Sequence, residues 1–453
     1  MNRKLKSRQI QMIALGGTIG VGLFMGSNSS IKWTGPSVLL AYALAGAFLY
    51  LIMRALGEML YIDPATGSFS KYATEYIHPF FGFLTAWCNV FQWIIVGMSE
   101  MIALGGYFAF WWPDLPQWIP GLIALTIICL ANLVSVKAFG EMEFWFALVK
   151  VVTIIFMIIA GILMICVGIG NNFHPIGISN LWTHGFFTGG WKGFFFSLAI
   201  VVGSYQGMEL IGVSAGETED PQRTLMKAIR SMIGRILIFY IGAIFVILCI
   251  YPWDRLGQVG SPFVQTFAKI GIPIAAGLIN FVVITAALSG SNSGIYSASR
   301  MLYTLADKKQ LPRRFTILSR GGVPFYSVLA VSVGILLGIV LNVVVPLIYK
   351  QTASIFVQVY SASILPGMIP WFVILVSQVK FRQVHQTQYA DHPFKMPLSP
   401  YTNYLTLIFL VVVLGFMFIN SETRTSIIIG ALFIVIMGVI YFFKYGKKAG
   451  ADS

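Results

Sequence analysis

About twelve long apolar runs dominate the sequence, and each is close to or above the ~20 residues that a helix needs to cross a bilayer. They lie near 9–28, 36–60, 80–111, 117–137, 142–169, 191–215, 231–251, 271–306, 324–344, 353–378, 402–420 and 425–444. Backbone amides in hydrocarbon must be satisfied within their own segment or in a closed barrel. A barrel would show alternating strands of about ten residues, and these runs do not alternate. The runs 80–111 and 271–306 are long enough to tilt or to project beyond the bilayer. Charged residues make up 10% of the chain, too few to cover soluble domains, which carry ~25%. An apolar content of 57% excludes disorder. The expected fold is all-α and integral to the membrane, with residues 1–453 forming a single transmembrane domain.

The net charge is +14. A basic balance can signal nucleic acid or an anionic surface, but here its placement decides. With the N-terminus inside and the sides alternating, 21 Lys and Arg fall on inside segments, 6 on outside segments and 3 within spans. That bias predicts cytoplasmic N- and C-termini and an even number of spans. No nucleic-acid partner is expected. Cys88, Cys129, Cys166 and Cys249 all sit inside apolar runs with no C-x-x-C pair, so they read as small buried hydrophobes. The five histidines are scattered without metal-ligand spacing. The first run is full length and lacks an obvious cleavage motif, so no cleavable signal is expected.

An ionisable residue inside a span is costly, and it is a functional hypothesis by default. Arg54 and Glu58 are four apart on one helix face, where such a pair can neutralise itself. Lys150 stands among Phe144, Trp145, Phe146, Ala147, Leu148, Val149, Val151 and Val152. Burial there disfavours its charged form and suits a proton carrier; the alternative is a lysine that snorkels to the interface. Glu100, in Gly97-Met98-Ser99-Glu100, can face a polar cavity or pair with a cation such as Lys150. Glu209 follows Gly203-Ser204-Tyr205-Gln206-Gly207-Met208. It can bind backbone amides freed by a helix break, or carry a proton.

The first run contains Gly16-Gly17-Thr18-Ile19-Gly20-Val21-Gly22, four glycines in seven residues. Glycine costs ~1 kcal/mol against Ala inside a helix, so this stretch is a candidate mid-membrane break. Unwound backbone at that depth must lie in protein or beside a cavity, where free amides at a half-helix start can bind a carboxylate. Gly16 with Gly20, and Gly22 with Gly26, also make the spacing for close helix packing. A phosphate loop is a poor match, because no Gly-Lys-Ser/Thr follows. The two candidate breaks, in the first and sixth spans, are five helices apart, as an inverted repeat of five would place them. Further on, Asp220-Pro221 reads as a helix cap followed by Pro at the first helical position. The polar stretch Ser289-Gly290-Ser291-Asn292-Ser293-Gly294 in the eighth span suits either close packing or a proton site facing the first and fifth helices.

Taken together these residues resemble the amino acid–polyamine–organocation superfamily, and most of all its bacterial amino acid transporter branch. The resemblance rests on the stretch from Arg8 to Phe24, Thr34-Gly35-Pro36, Met53-Arg54-Ala55-Leu56-Gly57-Glu58-Met59 and Glu143-Phe144-Trp145-Phe146 with Lys150. Ala215-Gly216-Glu217 with Asp220-Pro221, and Asn292-Ser293-Gly294 through Ser299-Arg300-Met301-Leu302, complete it. It implies a LeuT-like inverted repeat of five plus five helices, about 9–169 and 191–378, with two further helices at about 402–444. It implies a permease of the cell membrane that takes up an amino acid, usually with a proton as coupling ion and no other cofactor. Amides around Thr18, Val21 and Gly22 would take the α-carboxylate, and carbonyls around Gly203, Ser204 and Tyr205 the α-ammonium. Lys150 matches the fifth-helix lysine of proton-coupled relatives, with Ser289 or Asn292 as its eighth-helix partner. Leu225-Met226-Lys227 departs from the Ile-Pro-Lys often found in relatives. Gly203 stands where some relatives place an aromatic gate.

The expected function is therefore proton-coupled import of an α-amino acid, with a neutral substrate favoured by the scarcity of unpaired acids. Met98, Tyr205, Gly203 and Ser361 are candidates for side-chain selection, and Lys150, Glu209, Ser289, Asn292 and Glu100 for proton coupling. A gradient-independent exchanger and a permease for basic or histidine-type amino acids are the alternatives. A membrane enzyme finds no metal cluster and no Ser-His-Asp set near one face.

Overall fold

The computed structural model describes residues 5, 7–64, 67–169, 171–256, 263, 273–348, 355–386 and 392–449. Helices account for nearly all of it, and β pairing among these residues is confined to the isolated bridges Leu5–Thr218 and Leu318–Pro324. Eight helical stretches are long and apolar enough to cross a membrane, and Trp118–Val134, Gly190–Gly203 and Phe325–Leu341 are shorter apolar helices. The stretch Val21–Ile62 holds both the second half of the first span and the whole second span, so the expected twelve are accounted for. The starts of the eighth and tenth runs, 271–272 and 353–354, lie outside the described residues. So do Arg3, Lys4, Lys6, Lys269 and Lys350. Large apolar side chains such as Ile127, Trp145, Phe156, Leu337, Val411 and Phe443 face outward, as a lipid-facing surface requires.

Both expected breaks are present. The first span is helical over Ser7–Gly16, then resumes as Val21–Phe24 and Gly26–Thr34. It runs six residues past the expected end, because the polar stretch Ser27-Asn28-Ser29-Ser30 stays helical, with the Ser30 hydroxyl bonded to its own backbone. The sixth span is helical over Gly190–Gly203 and again over Leu210–Val213. Gly207 sits in the sixth-span break at φ 100°, a conformation that favours glycine. A Cβ there would also strike the Gly17 carbonyl in the other break. Two close breaks thus depend on one residue without a side chain.

The fifth span begins earlier than its apolar run suggests. It covers Val136–Cys166, capped by the Ser135 hydroxyl, which accepts from the Ala138 amide at 3.1 Å. Lys150 is therefore fourteen residues into a helix of 31 residues, and it is fully buried. The cap at Asp220 forms as expected, accepting from Arg223 N and opening the helix Pro221–Arg230. The seventh span contains a π-helical stretch, Ile236–Gly242, a geometry frequent at functional sites.

Basic loops gather on one face of the bundle. Leu5 N donates to Glu217 O at 3.0 Å and Glu219 N to Leu5 O at 3.2 Å. Arg8 pairs with Glu141 at 2.7 Å, Lys308 bonds Thr74, and Tyr445 bonds the Gln310 carbonyl. The opposite face joins Ser37 to Phe186 and Trp253 to His184. Each of these pairings joins segments that the charge count places on one side.

Arg54 and Glu58 do not pair with each other. The Glu58 carboxylate accepts from Arg382 Nε at 2.7 Å, Gln378 Nε2 at 2.8 Å and Met396 N at 2.7 Å. Arg54 instead lies over the Phe394 ring at 3.9 Å and donates to the Lys395 carbonyl. The end of the tenth-span helix and the segment after it pack against the second span and supply each with a better partner. Glu58→Gln would leave Arg382 without its buried counter-charge, at a cost of ~3 kcal/mol. The expected result is a clearly lower melting temperature in detergent; an unchanged one would contradict this account.

Candidate substrate and coupling site

The two breaks face each other across a small cavity. Its walls are Gly17, Thr18, Gly20 and Gly22 from the first span and Gly203, Ser204 and Gln206 from the sixth. Trp93, Val96 and Glu100 from the third, Gly290 from the eighth and Tyr360 from the tenth complete it. Its volume open to the centre of a water is about 20 Å³. That is room for about one water, so a ligand must be small or the walls must part for it.

Backbone polarity is concentrated here because helix bonds end here. Gly17 N closes the first half-helix on Ile13 O at 2.9 Å. Gly20 is extended, at φ −124° and ψ −162°, and opens the second half at Val21. Carbonyls freed by the first break need donors within the membrane. Tyr240 supplies one, with its hydroxyl 2.8 Å from Thr18 O and 3.2 Å from Ser204 O, so it spans both breaks. Lys150 supplies another, with Nζ donating to Ile19 O at 2.9 Å. Glycine at position 22 is required by approach: a Cβ would lie 2.9 Å from Ser204 Cα and collide with the Tyr360 hydroxyl.

Lys150 Nζ also donates to Ser289 Oγ at 2.9 Å, and the Ser289 hydroxyl in turn donates to the Glu143 carboxylate. Asn292 Nδ2 reaches the other Glu143 oxygen at 3.0 Å, and Asn132 Nδ2 bonds Asn292 Oδ1 at 2.7 Å. Every member of this chain is buried. The Glu100 carboxylate lies beside the Val21 amide, and a Cβ on Gly20 would stand 3.0 Å from its Oε1. Its Oε2 is buried with no hydrogen-bond partner among the described residues.

The structure thus puts Thr18, Gly22, Gly203, Ser204 and Glu100 on the cavity wall, with Val21 at its edge, and it joins Lys150 to Ser289. Asn292 reaches the group through Glu143. Other expected residues lie elsewhere. Tyr205 turns away, its hydroxyl on the Tyr42 carbonyl at 3.1 Å and its ring against Tyr240. Met98 packs on Gly338 of the ninth span, outside the cavity lining. Ser361 is buried but not on the wall. Glu209 serves the sixth-span break, accepting from Gly207 N at 3.1 Å, Gln92 Nε2 at 3.2 Å and Trp371 Nε1 at 3.3 Å. Of the two readings of Glu209, this geometry is the capping one.

Glu143, Tyr240, Tyr360, Gln206 and Trp93 were not singled out from the sequence as site residues. A signal existed for one of them: Glu143 is seven residues before Lys150, which puts both on one helix face. The aromatic residues gave none, because nothing in their local sequence separates them from lipid-facing aromatics.

The profile of the amino acid permease family matches residues 9–450. Across the whole chain the sequence is 60% identical to the probable threonine/serine transporter YbxG of Bacillus subtilis strain 168, covering 97% of that protein. It is 48% identical to the uncharacterized amino acid permease YtnA of the same organism, over 100% of this chain and 97% of that one. It is 42% identical to the amino-acid permease AapA, also of that organism, over 97% of this chain and 94% of that one. The all-helical, multi-span, LeuT-like architecture of that family agrees with the fold described above. The chain belongs to the amino acid permease family, and is a multi-pass membrane transporter of amino acids rather than an enzyme.

Proposed function

We propose that this permease imports a small neutral amino acid, of the serine and threonine type, by proton symport at the cell membrane. The observation that carries the reading is the pair of bonds from Lys150 Nζ, one to the Ile19 carbonyl in the first-span break and one to Ser289. A group that can gain or lose a proton is bonded directly to backbone next to the substrate cavity. Loss of its charge weakens the bond to Ile19 O, because charge-assisted hydrogen bonds are about twice as strong as neutral ones. Protonation and the geometry of the break are thereby linked.

Substrate class follows from size and from polarity. The cavity is narrow: glycines at 22 and 203 let Tyr360 and the Ser204 backbone crowd it, and those at 20 and 290 make room for the Glu100 side chain. The α-carboxylate would meet the start of the half-helix at Val21, and the α-ammonium the carbonyl end at Gly203 and Ser204. The 60% identical relative named as a probable threonine/serine transporter supports a hydroxylated side chain. Glu100 beside the Val21 amide must yield to a substrate carboxylate there, which adds an acid to the coupling set together with Lys150, Ser289 and Asn292. The repeats 9–169 and 191–378 would rock about this site, with both termini in the cytoplasm as the 21-to-6 charge bias indicates.

In proteoliposomes with an acid-outside gradient, Lys150→Ala should abolish concentrative uptake of threonine; uptake against a gradient by that variant would overturn the coupling assignment. Serine and threonine should compete with labelled threonine far better than phenylalanine or lysine do. Equal competition by phenylalanine would refute the size argument. Gly22→Ala should lower threonine affinity at least about tenfold, the effect of ~1.4 kcal/mol, in a binding assay on purified protein. Unchanged affinity would move the substrate away from the first-span break.

A further inference from the structure

Glu143 is a buried acid for which the expected coupling set has no role. It stands two turns from Lys150 on the same helix, on the side toward the face that carries the N-terminus. A single hydroxyl separates the two: Ser289 Oγ accepts from Lys150 Nζ at 2.9 Å and donates to Glu143. Asn292 Nδ2 holds the other carboxylate oxygen at 3.0 Å and is itself fixed by Asn132. The acid is thus aimed at the Ser289 hydroxyl from a rigid seat. One turn further along the helix, Gly140 leaves space that a Leu5 methyl and the amide of Gln9 fill, 2.9 and 3.1 Å from the position of a Cβ. Gln9 Nε2 bonds Glu141 at 2.9 Å, and Glu141 pairs with Arg8 at the surface. Polar side chains thus stand both at Glu143 and one turn nearer that face, at Gln9 and Glu141.

We propose that Glu143 is the proton's next acceptor after Lys150, reached through the Ser289 hydroxyl, and the group that delivers it to the N-terminal face. This rests on the proton-symport reading. In the step, an N–H bond of the Lys150 ammonium breaks as Ser289 Oγ takes the proton, and the Ser289 O–H bond breaks as Glu143 takes its proton. Lys150 becomes a neutral amine, Glu143 a neutral acid, and Ser289 is regenerated. Glu143 then gives the proton to water when the first half-helix moves off the fifth span. Two buried opposite charges become two neutral groups, which lowers the desolvation cost of that stretch of helix. The other titratable groups near this chain are Glu100, across Lys150, and Tyr296, which stacks on Phe139 and is bonded to the Glu217–Arg300 pair. Tyr296 is held by Glu217, and Glu100 lies on the cavity side, so neither lies between Lys150 and the N-terminal face.

The test uses the full chain in proteoliposomes with labelled threonine and an internal pH dye. In Glu143→Gln, gradient-driven uptake and proton entry should fall about tenfold or more, the scale of a lost proton-transfer group. Counterflow at equal pH, which needs no net proton release, should fall by less than about threefold, and Glu143→Asp should recover most of the loss. Ser289→Ala keeps both ionisable groups and should slow gradient-driven uptake at least about threefold through loss of the bridge. Glu143→Gln with proton entry above half the wild-type rate overturns the proposal. So does wild-type uptake in Ser289→Ala, which decides the matter if Glu143→Gln fails to insert. Wild-type protein that moves threonine with no proton entry would instead sink the symport reading itself.

Discussion

A backbone carbonyl without its helical partner cannot stand alone in hydrocarbon, and the bond from Lys150 to Ile19 O meets that demand at the first break. Much of the site follows from it. The first helix can stop at Gly16 only if donors reach in from other helices, and these are Lys150 on the fifth span and Tyr240 on the seventh. The sixth-span break is served in the opposite sense. There the exposed groups include the Gly207 amide, and the Glu209 carboxylate accepts from it. A cation faces freed carbonyls at one break and an anion faces a freed amide at the other. The two acids and the lysine that looked alike as rare charges in apolar runs therefore have distinct work. Glu209 serves the sixth-span break, Lys150 serves the first-span break, and Glu100 borders the cavity.

Glycine sets how closely these parts meet. Gly207 lets the sixth-span break touch Gly17, and Gly22 lets Ser204 and Tyr360 approach the first. The cavity is small because the backbones are close, and they are close because four of the seven wall residues in the two breaks are glycines, at 17, 20, 22 and 203. On the proposed reading, selectivity for a short side chain is a property of main-chain packing as much as of any lining side chain.

The sequence made the breaks legible because glycine clusters and charges are rare in an apolar run, and rarity is visible without a structure. It made Lys150 and Ser289 legible for the same reason. The failures have physical causes. Met98 is a candidate for side-chain selection, yet it lies two residues from Glu100, a rotation of about 200° along a helix, and it faces Gly338 instead. Tyr205 sits inside the sixth-span break, where helical phase predicts nothing, and the local turn sends it to Tyr42. Glu143 looked like the edge of its span because hydropathy starts the run at 142. The Ser135 cap starts the helix at Val136 and puts that acid inside. Arg54 and Glu58 show the limit of spacing rules: each found a stronger partner from a segment more than three hundred residues away.

The first half-helix is held at both ends, and this bears on how a proton could move it. Its inner end is tied by Lys150 at Ile19. Its outer end is tied by Leu5 to Glu217 and Glu219, and by Arg8 to Glu141. The outer ties are main-chain bonds and a half-exposed ion pair, worth ~1 kcal/mol each. On the proposed reading, neutralising Lys150 removes the charge from one inner bond, a loss of the same order. An equilibrium between two states shifts tenfold for each ~1.4 kcal/mol. One proton is therefore enough to change which state is populated only if the outer ties are themselves weak. On that reading the few modest bonds on the N-terminal face would act as the latch, and the packed third and eighth spans as the frame against which it would open.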